Sequence, residues 1–161
     1  VYDDKHANGE IYGNLYNWYA ANDSRGLAPV GWHIPADKEW MELEMNLALG
    51  MTKVQAGNEG LRGSSQGSQL AGNKGLWKYG HTNGYGISGD PAFGTSNFKA
   101  IPGGWRNLGQ FEGIGKHGRY WSSSSYDNLY AWARELMEPL TEVYRINYCM
   151  HDGLSVRCLL D

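Results

Sequence analysis

Gly31-Trp32-His33-Ile34-Pro35-Ala36-Asp37-Lys38-Glu39-Trp40 marks where the longest helix of the chain should begin. A proline at the entry pre-sets the backbone angle, and acids in the first turn suit the positive end of a helix. Beyond it Trp40, Leu43 and Leu47 fall on one face, with Met41, Met45 and Ala48 beside them. That spacing predicts an amphipathic helix, with Gly50 as its stop. Asp37, Lys38, Glu39, Glu42 and Glu44 are then left mostly for solvent. Ala36 stands where a Ser or Thr cap is expected, so only Glu39 is available, as half of a capping box.

Composition bounds what surrounds this helix. At 161 residues the chain reads as one domain, large enough to bury a core. A net charge of −3 and a pI near 5.9 argue against nucleic acid as a partner. Glycine (23), tryptophan (7) and tyrosine (11) are abundant while phenylalanine (3) is scarce, which suggests loop-rich β structure carrying amphipathic rings. No apolar run approaches the roughly 18 residues of a membrane span, so no membrane insertion is expected.

Upstream, Tyr12, Tyr16 and Tyr19 recur at helical spacing with Leu15 and Trp18, predicting a short buried helix ended by 22–26. Asp3, Asp4, Asn8 and Asp23 are oxygen donors of the kind calcium takes. Their spacing matches no EF-hand loop, and a solvated turn is the favoured reading. Downstream, residues 51–97 are irregular, with Leu61, Leu70, Leu76 and Trp77 expected to pin them to the core. Trp77, Tyr79 and Tyr85 set rings in a glycine-rich stretch, either to stack on sugars or to plug the core. Thereafter 98–102 leads into a Gly103-Gly104 turn, and 120–126, 130–136, 142–148 and 154–160 read as strands. In the last, Leu154, Val156, Cys158 and Leu160 alternate with their neighbours, which marks one buried face. Ala131 and Ala133 alternate with Tyr130, Trp132 and Arg134, giving that strand a small face and a bulky one.

Gly113-Ile114-Gly115-Lys116-His117-Gly118 matches G-x-G-x-x-G, yet a strand-like run follows where a dinucleotide site needs a helix, so it reads as a glycine-rich turn. Ser122 to Ser125 contain no nucleophile elbow, and the five histidines show no zinc spacing. If His151-Asp152-Gly153 is a hairpin turn, Cys149 and Cys158 point to opposite faces, beyond the roughly 7 Å allowed between α-carbons of a disulfide. Two free thiols are expected, with Cys149 nearer the surface and Cys158 in the core.

Gly31-Trp32-His33-Ile34-Pro35 with Glu39-Trp40, Ile101-Pro102-Gly103-Gly104-Trp105-Arg106, Tyr120-Trp121-Ser122-Ser123-Ser124 and Gly153-Leu154-Ser155-Val156-Arg157-Cys158 occur in that order. With Tyr12-Gly13-Asn14-Leu15-Tyr16-Asn17-Trp18, they make essentially the whole chain similar to the Fibrobacter succinogenes major paralogous domain of bacterial surface proteins. More distantly it resembles the formylglycine-generating-enzyme branch of the C-type-lectin-like fold, where a comparable Pro-x-x-x-Glu-Trp helix, Gly-Gly turn and closing Arg-Cys strand recur. The resemblance implies one α+β, loop-rich, C-type-lectin-like domain over 1–161, two helices packed on small antiparallel sheets, lacking the family's opening apolar segment. The catalytic cysteine pair of the formylglycine-generating enzymes is unmatched, and the calcium-binding Glu-Pro-Asn and Trp-Asn-Asp signatures of animal lectins are absent.

The expectation is therefore a non-enzymatic recognition domain, extracellular or at a cell surface, binding a polysaccharide or glycan. No cofactor is implied beyond the structural calcium weighed above. Sugar sites need flat apolar faces bordered by paired donors and acceptors. The candidates are Trp77, Tyr79, Trp105, Tyr126 and Trp132, with Arg106, Asn107, Asp127, Asn128, Arg134 and Arg145. Against this, Trp105 and Arg106 are equally suited to locking the Gly-Gly turn into the core. The alternative is a protein receptor, bound as by the variable proteins of diversity-generating retroelements. It would need Met137, Leu140, Ile146, Tyr148 and Met150 exposed together. A formylglycine-generating-type oxidase is the third and weakest reading.

Overall fold

A computed structural model of the chain describes residues 1–48, 51–78 and 86–161. Gly50, Tyr79, His81 and Tyr85 lie outside the described residues. Among the described residues five short α-helices, α1 (His6–Tyr12), α2 (Trp18–Ala21), α3 (Asp37–Leu47), α4 (Lys53–Gly57) and α5 (Gln66–Leu70), accompany eight strands. The strands are β1 (Trp32–His33), β2 (Gly60–Arg62), β3 (Gly103–Asn107), β4 (Gln110–Ile114), β5 (His117–Ser125), β6 (Tyr130–Met137), β7 (Val143–Cys149) and β8 (Leu159–Leu160). Six form one sheet in the order β2-β7-β6-β5-β3-β4, antiparallel except where Gly104 of β3 meets Gly118 of β5 in parallel; β1 and β8 pair separately. The architecture is α+β with few helices and a mixed sheet. Two helices on small antiparallel sheets, the expected form, gives way to five short helices and one larger sheet.

Alternation along the strands lets the sheet bury both faces. Ala131 and Ala133 of β6 turn towards Trp18, Ile34, Trp121, Met150 and Leu154, making one apolar cluster. On the opposite face Tyr120 and Leu136 join Trp40, Leu70, Trp77, Ile87 and Val143. The small-face reading of β6 holds.

Helix α3 starts where Pro35 and the acids place it. The Ala36 amide donates to the Glu39 carboxylate (2.8 Å), the expected half-box, and the Asp37 amide donates to Ser124 Oγ of β5 (3.0 Å), so a strand supplies the missing cap. Trp40 is buried against Phe98 and Tyr120. Two acids expected in solvent are not there. Glu44 is fully buried and accepts from Arg62 Nε (3.1 Å) and Arg134 Nε (2.5 Å). Asp37 accepts from Arg134 Nη1 (2.7 Å) and from Arg145 Nε and Nη2 (3.0 and 2.7 Å). The sheet brings Arg62, Arg134 and Arg145 beneath the helix, and their charges make burial of the two carboxylates tolerable. Burial, helped by the Arg134 and Arg145 charges and opposed by Glu44, pushes Arg62 down to about 10.

Other departures have local causes. The helix expected over Tyr12–Tyr19 is broken by Gly13, whose φ of +76° ends α1, and by Asn17, whose side chain caps α2 (2.9 Å to the Ala20 amide). Tyr16 instead bridges to Leu154. Gly103 and Gly104 belong to β3 rather than to a turn; a Cβ on Gly104 would meet the Glu112 carbonyl at 2.3 Å. Leu61, expected in the core, is exposed. Of Gly113 to Gly118, read as a turn, only Gly115-Lys116 turns the chain; Gly113 and Ile114 end β4, and His117 and Gly118 begin β5.

The closing segment does not return along β7: β6 pairs along one edge of that strand, β2 takes the other at Val143–Arg145, and the chain after Gly153 pairs elsewhere. Gly153 pairs with Arg106, Leu154 with Tyr16 and Ser155 with Tyr120, and only Leu159–Leu160 forms a strand, against β1. Leu154 is buried but Leu160 is exposed, so the alternation fails at its end. Cys149 and Cys158 are free and both half-buried, although the hairpin that argued for this does not form. Among the described residues no helix is long and apolar enough to cross a membrane.

Candidate functional site

Tyr130, Trp132 and Arg134 share the face of β6 that α3 covers, opposite Cys149, Asn147 and Arg145 of β7. The helix lies over the Arg134–Arg145 level, held there by Asp37. Nearer the β5–β6 hairpin the sheet face opens to solvent, with Tyr126 50% and Tyr130 40% exposed.

The arrangement there is a stack built outward from the core. Arg145, fixed by Asp37 and by the Gly57 carbonyl (3.0 Å), lays its guanidinium 3.4 Å from the Trp132 ring centre. Tyr126 stands edge-on against Trp132, ring centres 4.8 Å apart. The hairpin sets its position: the Tyr126 amide donates to the Tyr130 carbonyl (2.8 Å), and Asp127 Oδ1 accepts from the Leu129 and Tyr130 amides (2.7 and 2.8 Å). Asn147 donates to Glu59 (3.1 Å) at the border, and Asn128 is exposed at the tip. Burial opposes the charge on Asp37, yet Arg145 and Arg134 hold its carboxyl below the usual carboxylate range, so the anchor stays ionised at neutral pH.

The expected site residues divide accordingly. Tyr126, Asn128 and Trp132 come together at this surface, and Asp127 shapes the turn. Arg134 and Arg145 are buried and spent on Asp37 and Glu44, which corrects their assignment as ligand contacts. Trp77 is likewise a core residue, its indole donating to the Gly72 carbonyl (3.2 Å). Tyr79 lies outside the described residues.

Trp105 is half-buried beneath Arg119, whose guanidinium sits 3.4 Å from the indole ring centre, with His117 edge-on at 5.2 Å. A Cβ on Gly113 would strike that indole at 2.1 Å, so the glycine makes room for it. Arg119 also covers Tyr148 and pairs with Glu135 (2.8 Å), which binds His117 Nδ1 (2.6 Å) and the Tyr148 hydroxyl (2.5 Å) as well. Burial and the adjoining Glu135 carboxylate raise the Tyr148 pKa. Trp105 is thus wedged rather than offered. Arg106 is exposed over Phe111, while Asn107 is taken up by Asp152 (3.0 Å).

Tyr130, Asn147 and Glu59 were missed. Alternation of Tyr130 with Trp132 was a usable signal for the first; nothing local points to Glu59, which β2 carries in from another part of the chain. The calcium candidates are engaged locally, Asp23 with Arg25 (2.6 Å) and Asp3 with Lys5 (3.8 Å). Among the described residues no three His, Cys, Asp or Glu side chains group as metal ligands. A cleft of about 650 Å³ between α3, α4, β2 and α5 shares no lining residue with the aromatic stack.

Fold and site together define an α+β module with few helices on a mixed sheet, presenting braced aromatic rings at one hairpin. The family model described as the Fibrobacter succinogenes major domain matches residues 1–159, and the chain belongs to that family. No curated protein and no solved structure matches the chain.

Proposed function

We propose that the chain is a non-enzymatic recognition domain of a surface or secreted protein, and that it binds glycan on the open sheet face around Tyr126, Trp132 and Tyr130. The observation that carries this reading is the stack Asp37–Arg145–Trp132–Tyr126, which holds an exposed ring rigidly over a face bordered by Asn128, Asn147 and Glu59. Rigid aromatic faces edged by amides and carboxylates suit the apolar faces and hydroxyl groups of sugars, and little ordering entropy is lost on binding. The C-type-lectin-like assignment is part of the proposal. Its support is that the Pro35 helix, the Gly103-Gly104 pair and the closing 153–158 segment all meet on one sheet. The protein-receptor alternative is weaker: of Met137, Leu140, Ile146, Tyr148 and Met150, four are half-buried and Met150 is buried. The test is a glycan array followed by titration of the best hit. Tyr126→Ala should weaken binding at least tenfold, since central aromatics usually dominate such affinities. Lys38→Ala, on the outer side of α3, should leave it unchanged. Equal affinities for the two variants would move the site elsewhere.

A further inference from the structure

Four of the family-bearing segments meet at a second place, away from the hairpin. Tyr12 to Tyr16 form one wall of a pocket of about 370 Å³, Ser155, Val156 and Arg157 the other, and Ile101 and Tyr120 lie between them. None of its lining residues is acidic, and it shares none with the aromatic stack. Tyr120 is fixed there, its hydroxyl donating to the Ile101 carbonyl (2.7 Å) and accepting from the Ile101 amide (2.8 Å).

Arg157 is the unusual member. Arg25, Arg62, Arg119, Arg134 and Arg145 each pair with a carboxylate, while the exposed Arg106 lies over Phe111. Arg157 is half-buried and has no carboxylate partner among the described residues; it donates to the Lys99 carbonyl, with its guanidinium carbon 5.7 Å from the Phe98 ring centre. A guanidinium carries five N–H donors in a planar fork that matches a carboxylate. The Lys99 carbonyl and the Tyr120 hydroxyl take up part of that capacity, and partial burial without a counter-charge leaves the rest for a ligand beside Tyr120. Asn14 and the Tyr16 hydroxyl, hydrogen-bonded to one another (3.3 Å), add polar groups to the opposite wall, and Tyr12 adds a ring. The volume is at the small end of ligand sites, enough for one sugar ring and far more than a bare anion needs.

We propose that this pocket binds an acidic pyranose, a uronic or sialic acid residue, with its carboxylate on Arg157 and its ring between Tyr12 and Tyr16. The pocket is separate from the hairpin surface and stands or falls without it. The test is amide chemical-shift titration with galacturonate, N-acetylneuraminate, galactose and acetate. One of the two acidic sugars should give saturable shifts at Tyr16, Ser155 and Arg157, with galactose and acetate at least tenfold weaker. Arg157→Gln should lose at least tenfold, and Arg157→Lys, which keeps charge without the fork, should lie between. Because Arg157 also braces Phe98, the fold of each variant is read from its own spectrum. Tyr16→Phe, which leaves the arginine untouched, should weaken the acidic sugar severalfold. Absence of shifts at about 10 mM of both acidic sugars overturns the proposal. So does equal binding of acetate or galactose, undiminished binding by a folded Arg157→Gln, or shifts confined to Tyr126 and Trp132.

Discussion

Replacing Glu44 by Gln tests whether buried charge holds α3 to the sheet. The carboxylate is fully enclosed and neutralises Arg62 on one side and Arg134 on the other. Gln keeps the shape but removes the charge and turns an amide N–H₂ towards a guanidinium. Three guanidinium groups are then left with Asp37 as the cluster's carboxylate. Breaking a buried pair from one side costs about 3–5 kcal/mol, because the stranded charge stays desolvated. The exposed Lys38–Glu42 pair, one turn apart on the same helix, gives the comparison: Glu42→Gln should cost no more than about 0.5 kcal/mol. In urea, with a slope of about 2 kcal/mol per molar, Glu44→Gln should lower the midpoint by about 2 M while Glu42→Gln barely moves it. A domain stable by about 5–15 kcal/mol keeps a measurable transition in both. If the two midpoints fall by the same small amount, the cluster is not held as described and α3 rests on Trp40 alone.

Two further predictions concern ionisation and thiols. Asp37 has a folded pKa below its ordinary value of 3.8, so its stabilising contribution is complete above that value and is lost as pH falls through the depressed folded pKa. Urea midpoints measured from pH 5 downwards should therefore fall more steeply in the wild type than in Asp37→Asn; parallel curves would contradict the pairing. Cys149 should react with a thiol reagent faster than Cys158, whose pKa is raised by partial burial against the Trp18–Trp121 cluster. Equal labelling rates, or a Cys149–Cys158 bridge in the mass spectrum, would count against that packing.

Local patterns in the sequence were enough for the elements whose causes are local. Pro35 and the acids after it place α3, Trp40 marks its buried face, alternation at Ala131 and Ala133 orients β6, and the strand-like run after Gly118 excludes a dinucleotide site there. The same patterns misjudged whatever depends on distant partners. Asp37 and Glu44 look like solvent-facing acids because hydropathy along a helix carries no information about arginines that the sheet delivers 18 to 108 residues later. Arg134 and Arg145 look like ligand contacts for the same reason. The closing segment alternates like a strand, yet its residues bridge singly to Arg106, Tyr16 and Tyr120, and such partners exist only in the assembled fold. The family-bearing motifs were legible one by one; that Tyr12–Tyr16, Ile101 and Ser155–Arg157 enclose a single pocket was decided only by tertiary structure, because bridges such as Tyr16 to Leu154 and Tyr120 to Ser155 join segments whose sequences carry no record of one another.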